Sequence, residues 1–138
     1  MDKSIQEKIR SCKALRGKTI FDVVLMPRFR ENLAAYWEAQ KQDRAQIRAS
    51  YEAMRKAGGP KGYKIPAHPI DRLIGLSVGD LSAEYMAVVS KSSNRPAAER
   101  LYIQQLCQQA YNLTIAQIVC DEFPELESAL IPKPTNAN

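Results

Sequence analysis

One histidine, three scattered cysteines and a single tryptophan in 138 residues leave this chain short of the usual equipment for chemistry. With His68 as the only imidazole, paired-histidine metal sites are excluded, and a Ser-His-Asp arrangement has just one base to draw on. Cys12, Cys107 and Cys120 are odd in number and show no Cys-x-x-Cys spacing. That pattern points away from a disulfide framework or a zinc site and toward free, buried thiols in a reducing cytoplasm. Asp121 and Glu125 stand one helical turn apart close to the end, as a solvated helix face does, not as an acid/base pair across a cleft. Long apolar runs are missing too. The densest, "IFDVVLM", is broken by Asp22 and falls far below the roughly 20 residues that span a bilayer. The opening "MDKSIQEKIR" has none of the apolar stretch of a secretory signal. The expectation is a non-enzymatic cytoplasmic protein with no metal, cofactor, membrane or small-molecule substrate.

What is present is helical pattern. A hydrophobic fraction of 45% against 25% charged residues suits a folded globular chain, so disorder is expected only at the ends. Ile5, Ile9, Cys12 and Leu15 recur at steps of three and four and predict a helix over 3–16, stopped by a left-handed Gly17. The β-branched stretch 19–26 could suit a strand, but it lacks a convincing partner strand. Thr19 and Asp22 have the spacing of a capping box, which favours a short buried helix that ends or kinks at Pro27.

From 27 to 57 nothing interrupts a helix. Leu33, Trp37, Gln40, Arg44, Ile47, Tyr51 and Met54 form a heptad seam with a polar waist at Gln40 and Arg44. Such a helix is about 46 Å long, whereas a domain of this size is roughly 37 Å across. One end must protrude, bend or lie against another molecule.

The connector "GGPKGYKIPAHP", residues 58–69, lacks the spacing and the preceding strand of a phosphate-binding loop. Gly58 fits the end of the long helix, and Pro60, Pro66 and Pro69 hold the remainder extended. His68, boxed between Ala67 and Pro69, is expected to be exposed and idle. Beyond it, a helical turn is expected near Ile70 to Leu76. Asp80 is expected to cap a helix with Leu81, Tyr85 and Val88 inside, and Pro96 to open another. "LYIQQLCQQAYNLTIAQIVC" predicts an amphipathic helix to Tyr111, a break at Asn112 to Thr114, and a last helix capped by Thr114. The comparison with a DNA-reading helix-turn-helix fails, because the turn has no glycine and the second helix runs into Asp121 and Glu122.

The whole reads as all-α: an irregular bundle of about five to six helices in one domain over 1–131, with 132–138 as a mobile tail. Charge divides it. Residues 1–64 carry 15 Lys and Arg against 7 acids, and residues 65–138 carry 5 against 8. Such asymmetry concerns partners more than fold. The expected counterpart is an anionic protein surface or a second copy of the chain, and the alternative is a nucleic-acid backbone. The residues expected to make that contact are Arg28, Arg30, Arg44, Arg48, Arg55, Lys61 and Lys64; Trp37 is the aromatic candidate for a partner anchor, although its place in the heptad seam favours the core.

Overall fold

Three capping boxes punctuate the chain and fix where helices begin. In each, a side chain takes the backbone N–H near the third helical residue, while that residue's carboxylate takes the cap's own N–H. Thr19 and Asp22 do this for a five-residue helix, as the sequence predicts. Ser77 and Asp80 do it for a later one, so Ser77 is the cap and Asp80 its acidic counterpart three residues on. The third pairs His68 with Asp71. His68 Nδ1 accepts from the Ile70 N–H at 3.1 Å, so this histidine is exposed but not idle.

The computed structural model describes residues 3–59 and 64–131. Among these there are six α-helices and no strand: α1 (Lys3–Ser11), α2 (Ile20–Val24), α3 (Pro27–Lys56), α4 (Val78–Val89), α5 (Ala97–Glu122) and α6 (Glu127–Leu130). Short 3₁₀ turns at Lys13–Leu15, Pro69–Arg72 and Pro124–Leu126 link them. None of the helices is long and apolar enough to cross a membrane. The Gly/Pro-rich connector is described on either side of Pro60 to Tyr63, and the expected tail 132–138 lies outside the described residues.

Two expectations are corrected. The first helix stops at Ser11, because Cys12 turns to an extended backbone (ψ 116°) before the 3₁₀ turn. Cys12, Ile5, Ile9 and Leu15 still share one apolar cluster, so the periodicity marks the buried face correctly. The break at Asn112 to Thr114 does not occur, and α5 is one continuous helix. Thr114 donates its hydroxyl back to the Ala110 carbonyl at 2.7 Å and accepts from Asn32 of α3, so its polar atom is satisfied mid-helix and has no capping to do.

α3 and α5 form the spine, antiparallel to one another. Three polar contacts set their register: Arg28 to Asp121, Asn32 to Thr114 and Gln117, and Gln40 accepting from the Tyr102 hydroxyl. Phe29, Leu33 and Trp37 of α3 pack with Leu81 and Tyr85 of α4 and Ile103 and Cys107 of α5. A smaller cluster around Ile118, Val119 and Leu126 joins the far end of α5 to α1. Trp37 lies in the core, 2% exposed, with its indole N–H on the Leu76 carbonyl. The favoured place for Trp37, the core, is the one it takes, and it offers no exposed ring to a partner.

The seam of α3 therefore has two fates. Leu33→Ala should lower stability by about 2–5 kcal/mol and Trp37→Ala by about 3–5. Ile47→Ala and Met54→Ala should each stay within about 0.5 kcal/mol. Urea unfolding of the four variants, followed by circular dichroism, checks this; equal losses in both pairs would mean that the seam is covered throughout.

Candidate interaction arm on the long helix

Gln40 faces Tyr102, which stands in the second turn of α5. One turn farther along α3, at Arg44, the facing part of α5 is its first turn, which follows Pro96. α3 does not stop there. Arg44 is its last buried residue, and from Ala45 to Gly58 every residue is exposed except Tyr51, which is half-buried. The exposed stretch from 45 to 56 is about 18 Å long at 1.5 Å per residue, and Arg48 near its start still reaches Asp71. The helix is therefore not cut short: it runs unbroken to Lys56 with its last turns exposed.

The polar waist is where the helix leaves the body. Arg44 donates through Nε and Nη2 to both carboxylate oxygens of Asp71, at 2.9 and 2.7 Å, and through Nη2 to the Pro66 carbonyl. This fork is the geometry a guanidinium offers and an ammonium does not. Arg48, one turn on, adds a 2.9 Å bond to the same carboxylate. The Arg44 hydrogen bonds, outweighing partial burial, hold the Asp71 carboxyl far below the usual carboxylate range. The connector is pinned to the arm's root by these bonds.

The arm ends where glycine is required. Gly58 is left-handed (φ +85°) and donates to the Arg55 carbonyl, while Gly59 donates to that of Met54, the paired bonds of a Schellman stop. A Cβ on Gly59 would meet the Met54 carbonyl oxygen at 2.9 Å.

Along the arm two seam residues lie open, with the half-buried Tyr51 between them. Ile47 and Met54, one heptad apart, are 43% and 47% exposed. Arg48 and Arg55 follow them by one residue each, so both lie along one edge of the apolar strip. Lys41 occupies the same edge one heptad earlier, 5.5 Å over the Trp37 ring and paired with Glu38.

The expected contact residues thus divide. Arg48 and Arg55 are on the arm, and Arg44 is buried at its root as a structural ion pair. Lys64 is exposed in the returning connector, and Lys61 lies outside the described residues. Arg28 sits at the opposite end of α3, bonded to Asp121 at 2.7 Å, with Arg30 exposed nearby in sequence. Another terminal acid, Glu125, pairs with Lys8, while Glu122 accepts from a backbone group, the Lys13 N–H. Sequence reading omitted Ile47 and Met54 from the contact residues, although the heptad pattern names both.

Elsewhere the chemistry is quiet. Burial pushes the Cys107 thiol up to about 12 and raises Cys120 as well, so neither is poised as a thiolate. Among the described residues, no three His, Cys, Asp or Glu side chains gather as a metal site needs. An open groove of about 560 Å³ is lined by Ala14, Met26, Pro27 and Ile118, with the Arg28–Asp121 pair at its edge. No family model, no curated protein and no solved structure matches the chain.

Asp71→Asn should lower the unfolding midpoint more than Arg48→Ala, because it strips the buried Arg44 of its partner. Asp71 is depressed in the folded state, so its contribution is complete above the unfolded value near 4 and is lost as pH falls toward the folded one. The gap between wild type and Asp71→Asn should hold steady above about pH 5 and narrow below about pH 4. Urea midpoints across that range check the sign; a gap that widens in acid would contradict it.

Proposed function

We propose that this protein is a non-enzymatic interaction protein of the cytoplasm, which presents basic surface from the first half of its chain to an anionic partner. The observation that carries the reading is the arm. An exposed helical segment with two solvent-facing apolar residues and two arginines on one edge suits a contact surface better than a solvated face. Arginine is also the residue best matched to carboxylate or phosphate groups on a counterpart. The three free cysteines suit a reducing compartment.

A second reading, a grip on nucleic-acid backbone, is favoured by residues 3–18, which carry six Lys and Arg against one Glu. Lys3, Arg10, Lys13, Arg16 and Lys18 are all exposed there. Contact with phosphates would make the affinity steeply salt-dependent.

Fluorescence anisotropy with a labelled glutamate-rich peptide and a labelled random DNA duplex, each at rising salt, separates the two. The peptide should bind, and Arg48→Glu with Arg55→Glu should weaken it about tenfold or more. A peptide that binds the double variant equally well, or not at all, removes the first reading. Duplex binding that survives this variant but fails in Lys13→Glu with Arg16→Glu and Lys18→Glu supports the second.

A further inference from the structure

We infer that the partner of the arm is an acidic amphipathic helix, laid along the Ile47–Met54 strip and held at its edge by Arg48 and Arg55. This rests on the reading of the arm as a binding surface, and it names what that surface takes.

The strip is the continuation of a face already used for helix packing. Leu33 and Trp37 on the same seam are buried against α4 and α5, and Ile47 and Met54, past the level at which α5 begins, are exposed. Ile47 and Met54 repeat that seam at its own spacing, which matches another helix and has no counterpart in the phosphate spacing of nucleic acid. Polyanion contact alone gives two exposed apolar side chains nothing to do.

Charge then selects the partner. The edge residues, one after each strip residue, are both arginine, and in paired helices such edge positions set partner and orientation. Asp71 binds two guanidiniums, Arg44 and Arg48, so a cationic excess remains at the root, and Arg55 has no ion-pair partner among the described residues. An edge of glutamates or aspartates would meet it. A second copy of the arm would not: antiparallel, Arg48 would face Arg55 of its twin. In parallel, Arg48 would gain only Asp43, and Arg55 would face Ser50.

The test uses the full chain and three labelled peptides of about three heptads. One has leucine at the seam and glutamate at the edges, one has lysine at the edges, and one is the acidic peptide scrambled to remove its apolar face. The chain should bind the first at least about tenfold more tightly than either of the others. Ile47→Ser with Met54→Ser should lose that advantage with an unchanged unfolding midpoint, which separates lost contact from lost fold. Arg48→Glu with Arg55→Glu should exchange preference toward the lysine-edged peptide. If the scrambled acidic peptide binds as well as the ordered one, the anionic-partner reading stands and the helical partner is overturned. If neither acidic peptide binds, both fall. Two further outcomes also overturn it: a concentration-dependent dimer in light scattering that the Ile47→Ser, Met54→Ser variant abolishes, and random duplex binding in preference to all three peptides.

Discussion

The antiparallel register of α3 and α5 is the constraint on which the rest depends. Asn32 of α3 reaches both Thr114 and Gln117, and the contacts Arg28–Asp121 and Gln40–Tyr102 hold either side of it. These bonds are individually modest, but each requires the neighbouring helix at one height. Once that height is set, Pro96 determines where α5 begins and the glycine stop determines where α3 ends. The two limits do not coincide, and the overhang follows from them.

The waist of the seam shows how this mismatch is tolerated. A long helix leaving a core must carry its polar transition somewhere, and here Gln40 and Arg44 find partners inside the body. Asp71 serves at once as the far half of the His68 capping box and as the anchor for Arg44. Local turn chemistry and the long-range contact that fixes the arm therefore share one carboxylate. The same economy appears at Arg95, which bridges Glu84 of α4 and the buried Glu99 of α5.

Much of this was legible in the sequence because the signals are local. Thr19 with Asp22, Pro27 at a first helical turn and Gly58 at a stop each act within a few residues, and each stands as expected. The errors came where distant residues decide. Thr114 resembles a cap until Asn32, 82 residues away, occupies its hydroxyl. Arg44 resembles a free cation until Asp71 is brought against it. Cys12 has the right period for helix, yet its backbone does not follow. The overall excess of positive charge was visible from the start. Which of those cations the terminal acids would neutralise depends on the fold: Lys8 and Arg28 are matched, while the arm points away from Glu122 and Glu125.

Because the projecting segment is the uninterrupted extension of a buried helix, its backbone is already ordered before anything touches it. A flexible tail would surrender about 1–2 kcal/mol of chain entropy for each residue frozen on association. This segment surrendered that freedom when α3 folded. The counterpart proposed for it would encounter a preformed helix, so this segment would add little backbone-ordering cost to the association.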